Sequence, residues 1–421
     1  MEVKPGYKQT EVGVIPEEWE VKPIEQIGFV TSGKRLPLGS SLVKHPTPHP
    51  YVRVTDMRPG TVSLDEIQFV PESVFPAIKR YRIYCDDIFI SVAGSLGIVG
   101  KVPKELDGAN LTENADRITK ITCSQDYLLH VLMSPLIQNT IDSIQTVGAQ
   151  PKLALTRIRK FSIPHPPLPE QRAIAEALSD VDRLLGGLDR LIAKKRDLEQ
   201  AAMQQLLTGQ TRLSGFEGEW RVTRLGDVAK IQRGASPRPI DNPIWFDNDS
   251  LVGWVRISDV TRSGLFLNET SQRLSPLGVQ HSRPVSTGSL IMSICATVGR
   301  PIITKIDVCI HDGFVVFDNL DANQLFIFYI LKWIEPEWTK HGQTGSQMNL
   351  NTGLINGTVI KLPPPDEQTA IVTILSDMDA DIAALEKRRL KTTALKQAMM
   401  HELLTGRTRL VDPSTSGKNA C

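Results

Sequence analysis

The sequence predicts an α+β chain. Two globular domains are separated by two long helices that form an antiparallel coiled coil, with internal pseudo-twofold symmetry. Three observations lead there: a long amphipathic segment occurs twice, the stretches in front of it share motifs at nearly the same offset, and those stretches are built of short β-branched runs punctuated by Gly and Pro.

A globular part precedes each helix. Runs such as Asp87-Ile88-Phe89-Ile90-Ser91-Val92 and Ser289-Leu290-Ile291-Met292-Ser293-Ile294 read as strands of a twisted, mostly antiparallel sheet, and Tyr127–Met133 and Gln324–Trp333 as helices. Trp19-Glu20-Val21 matches Trp220-Arg221-Val222, and Gly33 matches Gly234, both displaced by 201 residues. Val52-Arg53-Val54-Thr55-Asp56 resembles Val255-Arg256-Ile257-Ser258-Asp259, and Gly148-Ala149-Gln150 matches Gly345-Ser346-Gln347. The offset wanders between 197 and 203, so loops have changed length inside a duplicated domain; two copies of this period exclude a short-repeat solenoid.

The helices keep their length. Pro169-Glu170-Gln171 opens one that ends in Leu206-Leu207-Thr208-Gly209, then Gln210-Thr211-Arg212-Leu213. Asp366-Glu367-Gln368 opens the other, which ends in Leu403-Leu404-Thr405-Gly406, then Arg407-Thr408-Arg409-Leu410. Both ends are displaced by the same 197 residues. Ile174, Leu178, Val181, Leu185, Leu188 and Ile192 alternate at spacings of four and three, as do Ile371, Leu375, Met378, Ile382 and Leu385. That is a coiled-coil seam rather than a stripe facing a broad core. Prolines fix each helix start, and Gly209 and Gly406 stand where a left-handed C-terminal cap belongs.

Chain order selects the antiparallel arrangement. The second globular domain lies between the end of helix one and the start of helix two. A parallel pair would make it bridge about 57 Å of helix, whereas a domain of that size is roughly 40 Å across. Gly186-Gly187 interrupts helix one where helix two has Ala383-Ala384 at the matching places, which predicts a bend or a close helix approach in helix one. The resulting division is 1–165 globular, 166–212 spacer helix, 213–362 globular, 363–410 spacer helix, and a tail over 411–421 without fixed structure.

Composition excludes more than it selects. The chain carries 48 basic and 47 acidic residues; residues 1–165 hold 19 against 18, and 215–362 hold 14 against 14. A polyanionic partner therefore requires positive charge gathered on one face of each domain. The five cysteines form no metal spacing and suit reduced thiols in a cytoplasmic protein. The most apolar stretch, Leu325 to Leu331, is far short of the ~20 residues of a membrane span, so no membrane partner is expected.

No catalytic or metal-binding constellation emerges. Ser95…Gly100-Lys101-Val102 lacks the first Gly and the final Ser/Thr of a phosphate loop. Asn242-Pro243-Ile244-Trp245 lacks the second proline of the adenine-methyltransferase signature, and no glycine-rich cofactor loop accompanies it. His311-Asp312 and His45…His49 are isolated. Candidates for base or phosphate contact are Lys34, Arg35, Arg53, Arg58, Lys79, Arg80, Gln150 and Lys152 in the first domain. In the second they are Arg233, Arg238, Arg256, Arg262, Gln347 and Asn349. Arg53 and Arg256 precede matched Thr55-Asp56 and Ser258-Asp259, so they equally suit structural ion pairs.

These motifs together resemble the specificity subunit of type I restriction–modification systems over nearly the whole chain. The similarity rests on Tyr7-Lys8-Gln9-Thr10-Glu11-Val12-Gly13-Val14-Ile15-Pro16-Glu17-Glu18-Trp19, the Ile88–Gly100 segment, and the Gly345-Ser346-Gln347…Asn349-Leu350 loop. The Pro-Pro-x-x-Glu-Gln helix starts and both Leu-Leu-Thr-Gly ends complete it. The first domain departs from the loop pattern, with Gln150-Pro151-Lys152-Leu153 where the second has Gln347-Met348-Asn349-Leu350. The resemblance implies two target-recognition domains that each read part of a bipartite, asymmetric site on double-stranded DNA. It implies a spacer that docks two modification subunits, which use S-adenosylmethionine, and restriction subunits, which use ATP and Mg. This chain itself would bind no cofactor and catalyse nothing. Two rivals are a fused methyltransferase–specificity protein, for which no cofactor motif or spare domain exists, and a coiled-coil adaptor without sequence-specific DNA binding.

Overall fold

A computed structural model describes residues 4–145, 152–340 and 350–411. Two compact units divide the chain. One holds the first globular region with the first half of one long helix and the last part of the other; the second holds the remaining halves with the second globular region.

In the first unit a four-stranded antiparallel sheet runs in the order Val99–Gly100, Ile88–Ser91, Ala115–Thr119, Phe29–Ser32. A second sheet runs Gln68–Phe69, Pro50–Val52, Ala109–Leu111, Arg82–Ile83, with one parallel pair between Pro50–Val52 and Ala109–Leu111. The second unit repeats this plan. Its first sheet runs Lys230–Arg233, Phe314–Asp318, Leu290–Ser293, Pro301–Thr304, and adds Phe266–Leu267 as a parallel edge strand. Its other sheet runs Gln272–Arg273, Gly253–Val255, Val308–Ile310, Arg283–Val285.

The central strands are apolar on both faces because each feeds two cores. Successive side chains on a strand point to opposite sides. Ile88 and Ile90 therefore join the core shared with the helices, while Phe89 joins the core between the two sheets. Leu290 and Met292, against Ile291, divide in the same way. In each globular region an early strand pairs with the last one, Glu20–Pro23 with Ser162–His165 and Arg221–Arg224 with Val359–Leu362, and the last strand hands the chain to the helix.

The long helices span Leu168–Thr208 and Pro365–Leu404. In the first unit Ile174, Ala175 and Leu178 pack with Met400, Leu403 and Leu404, and Lys396 Nζ lies 2.6 Å from Asp182 Oδ1. In the second Met203, Leu206 and Leu207 pack with Ile371, Val372 and Leu375, and Lys195 Nζ lies 2.7 Å from Asp381 Oδ2. The start of each helix thus meets the end of the other, which is antiparallel pairing. Leu188, Ile192 and Ile382 are buried, and Val181, Leu185, Met378 and Leu385 are half-buried. The seam reading needs one correction. Ile174 and Leu178, like Ile371 and Leu375, also face the core of a globular region, so the first turns serve a broad apolar face and a seam at once. Helix one runs through Gly187 without interruption, and a side chain there would meet open space, so no close approach explains that glycine.

The duplicated motifs at the helix ends make matched bonds. Gln171 accepts from the Ser124 amide at 2.9 Å and donates to the Pro166 carbonyl at 2.8 Å; Gln368 does the same with Asn323 and Pro363, both at 2.8 Å. Glu170, buried, accepts from the Trp19 indole at 3.0 Å and from Arg409 Nη2 at 2.8 Å. Glu367, also buried, accepts from the Trp220 indole at 3.2 Å and from Arg212 at 3.0 and 2.6 Å. Each Arg follows a Leu-Leu-Thr-Gly end, so the close of one helix is fastened to the start of the other. Gly209 and Gly406 have φ of +72° and +69°, the left-handed cap that turns the chain towards that bond.

Candidate nucleic-acid interface

In both units the chain crosses from the first sheet to the second at one glycine. Gly33 donates to the Ala115 carbonyl at 3.0 Å and Lys34 to Leu111 at 2.8 Å; Gly234 donates to Phe314 at 2.9 Å and Ala235 to Ile310 at 3.1 Å. The backbones are pressed together here. A Cβ on Gly33 would lie 2.0 Å from the Thr112 carbonyl oxygen, and one on Gly234 would lie 2.2 Å from that of His311. This crossing fixes the polar residues after the glycine beside Thr112-Glu113 in one unit and His311-Asp312 in the other.

Basic side chains meet acidic ones at both crossings. In the first unit Arg35 Nε donates to Glu113 Oε1 at 2.6 Å, and Thr112 Oγ1 donates to Glu113 Oε2 at 3.1 Å. Lys34 sits over the Tyr81 ring at 5.8 Å, and the Tyr51 hydroxyl donates to its carbonyl. Ser32 donates to the buried Asp116 at 2.6 Å. Burial pushes the Asp116 carboxyl up, against the charges of Lys152 and Arg159.

In the second unit Arg233 Nε donates to the Asp312 carbonyl at 2.6 Å, and Arg283 donates to the Arg233 carbonyl at 3.0 Å. Ser236 donates to Asp312 Oδ1 at 2.6 Å and Arg238 to Oδ2 at 3.2 Å. The Ser236 bond, helped by Arg238, holds the Asp312 carboxyl below its usual range. For Glu113 burial opposes ionisation, but the bonds from Arg35 and Thr112 outweigh it and lower the carboxyl. Both carboxylates are therefore charged acceptors at neutral pH. Burial lowers His311, with the Arg256 charge adding to that effect. The buried Trp254 indole N–H, on a ring 5.7 Å from His311, has no partner among the described residues.

The remaining candidates from the sequence separate into tied and untied groups. Arg53 grips Asp56 through Nε at 2.9 Å and Nη2 at 2.6 Å and reaches the Glu66 carbonyl, so it holds a local turn. The Arg256 amide caps on Asp259 and its guanidinium turns to Gln272, while Arg262 pairs with Asp259. Arg58 bonds the carbonyls of Thr55 and Met57. Lys79 and Arg80, just beyond the short helix Phe75–Ile78, and Lys152 are exposed. Gln150, Gln347 and Asn349 lie outside the described residues, as does the tail from 412 onwards.

Sequence reasoning passed over Glu113, Arg159 and Arg283, and weighed Asp312 only as half of an isolated His311-Asp312 pair. The available signal was the shared 199-residue displacement of Thr112-Glu113 and His311-Asp312, inside the range of the other repeats. Asn242 of the methyltransferase-like tetrapeptide is spent as a cap on the Ile244 amide at 3.1 Å, and Trp245 donates to the Pro239 carbonyl. Burial pushes the Cys123 and Cys309 thiols up to about 11, which leaves them poor nucleophiles. Among the described residues no group of three or more His, Cys, Asp or Glu is placed to hold a metal ion, and no helix is long and apolar enough to cross a membrane.

The same fold thus occurs twice, with exposed arginines at the same crossing in each copy. The chain belongs to the type I restriction modification DNA specificity domain family, whose description matches residues 16–194 and again 217–394. It is 27% identical over 427 residues to a chain of Methanocaldococcus jannaschii provisionally named the MjaX type I restriction enzyme specificity subunit, covering 96% of this chain and 97% of that one. It also resembles a solved chain described under complex assembly and conformational transition of the type I R-M system, with a TM-score of 0.59 and 19% identity over 94% of this chain and 99% of that one. The S subunit from M. genitalium aligns with a TM-score of 0.58 and 13% identity over 96% and 98%. The structural likenesses bear on the fold.

Proposed function

We propose that this chain is the DNA sequence-specificity subunit of a type I restriction–modification complex. It reads the two halves of a bipartite asymmetric site, one with each globular region, and its helices scaffold two modification subunits and the restriction subunits. The chain makes no covalent change itself; S-adenosylmethionine, ATP and Mg act on the partner subunits. The observation that carries this reading is the pair of basic groups, Lys34 and Arg35 in one unit and Arg233, Arg238 and Arg283 in the other. They stand at the same crossing of two copies of one fold. Guanidinium groups make bidentate contacts to phosphates and to guanine edges. The copies differ in sequence, so two unlike half-sites follow.

The test is adenine methylation mapping in a host without other methyltransferases, with the full chain co-expressed with its modification subunit. The expected result is a split asymmetric motif. One half should change when residues 1–165 are exchanged for those of a relative, and the other when 213–362 are exchanged. A stable complex that methylates nothing and binds duplexes without sequence preference would instead make the chain a coiled-coil adaptor.

A further inference from the structure

The two basic groups share a feature that phosphate binding does not require. Each contains an ionised carboxylate at the matched position, Glu113 in one and Asp312 in the other, set against the guanidinium of Arg35 or Arg238. A negative charge on a surface that meets a polyanion weakens binding to every sequence alike. Arg-paired acids elsewhere in the globular regions range from the buried Asp56, Asp87 and Asp259 to the exposed Asp321 and Glu18. Glu113 and Asp312 differ in standing at the matched position of both copies, each with a hydroxyl on one carboxylate oxygen and an exposed guanidinium on the other. The side chain of Asp312 is 45% exposed and that of Glu113 27%, beneath Arg238 at 70% and Arg35 at 77%.

Resting on the DNA-reading role proposed above, we infer that Glu113 and Asp312 are specificity-determining carboxylates. Each accepts a hydrogen bond from the exocyclic amino group of one base in its own half-site. An ionised carboxylate only accepts, so it pairs with the N4 amino group of cytosine or the N6 amino group of adenine in the major groove. It repels the acceptor-only edge of guanine and O4 of thymine. The partner arginine covers the carboxylate in the free protein. Its long, exposed side chain can transfer to a backbone phosphate when DNA arrives, and the vacated oxygen then faces the base. Thr112 and Ser236, bound to the other carboxylate oxygen in their respective units, hold the acceptor in place. The glycine crossing fixes both in register with the strand ends.

The experiment compares the wild-type complex with Glu113→Gln and Asp312→Asn, near-isosteric changes that remove the charge. Methylation motifs are mapped in cells, and binding of the purified chain–modification complex is measured by anisotropy on duplexes with each base pair of the site replaced in turn. Glu113→Gln should relax one base position in the half assigned to residues 1–165, lowering discrimination there about tenfold or more. Asp312→Asn should relax one position in the other half. Both should bind non-cognate duplexes more tightly, and the relaxed position identifies cytosine or adenine as the base read. Unchanged motifs, or a change in affinity spread evenly over all duplexes, would make the carboxylates counter-ions and overturn the inference. Should an amide variant fail to assemble, Glu113→Asp and Asp312→Glu move the acceptor by one methylene and must disturb the same positions. A wild-type complex without any split motif would instead defeat the proposed function, a distinguishable outcome.

Discussion

At the scale of residues, two glutamates explain why the helix ends stay constant while the globular parts drift. Glu170 and Glu367 lie buried, and each is neutralised by an arginine from the far end of the other helix and steadied by an indole N–H. A buried ion pair adds little net stability over an apolar substitute, because desolvation offsets the attraction, but removing one partner strands a charge. Arg409→Leu should therefore destabilise the first unit by about 3 kcal/mol, and Arg212→Leu the second by a similar amount. Urea unfolding of the full chain measures this. Two separate transitions are expected in the variants if the units unfold independently. A midpoint unmoved by Arg409→Leu would show that Glu170 finds an equivalent partner in Glu18's neighbourhood or in solvent. The Arg409–Glu18 contact lies at the exposed side of the clasp and should matter less.

At the scale of elements, the spacer helices carry one weak point. Gly187 lies within a helix of 41 residues and faces open space. Glycine in a helix interior costs about 1 kcal/mol relative to alanine, chiefly through backbone entropy. Gly187→Ala should raise the thermal midpoint of the chain accordingly. A lower midpoint would mean that the helix needs local freedom at this turn. The globular regions show the opposite economy. Every residue of Ile88–Ser91 and Leu290–Ser293 is buried, because a central strand sandwiched between two cores has no polar face.

At the scale of the whole molecule, burial of histidines couples folding to pH. His130 and His311 are pushed below 6.5 by burial, and so is His165. A histidine whose folded pKa is depressed binds fewer protons than in the unfolded chain. Its contribution is thus fully present above 6.5 and is lost as pH falls from there towards the folded value. His130 is the most enclosed. Its Nε2 meets Ser179 Oγ at 3.0 Å, its Nδ1 has no hydrogen-bond partner among the described residues, and Asp182, Lys396, Asp126 and Lys101 bear on it with opposing signs. The urea midpoint should fall between about pH 7 and pH 5, and His130→Gln should flatten that slope. An identical slope in the variant would place the effect on the other two histidines.

The sequence by itself determined the duplication, the length and antiparallel pairing of the spacer helices, and the glycine caps, because local periodicity and a constant displacement record them directly. It also exposed the Pro-Pro-x-x-Glu-Gln and Leu-Leu-Thr-Gly motifs without showing that they bond to one another across 155 and 239 residues. Only the tertiary structure decided which basic residues are available. Arg53 and Arg256 are tied into their own turns, while Arg35 and Arg238 stand exposed over matched carboxylates. The physical reason is that charge acts through distance in space. In a region with equal numbers of acids and bases, folding decides which arginines are spent inside structural pairs and which stand exposed at one crossing.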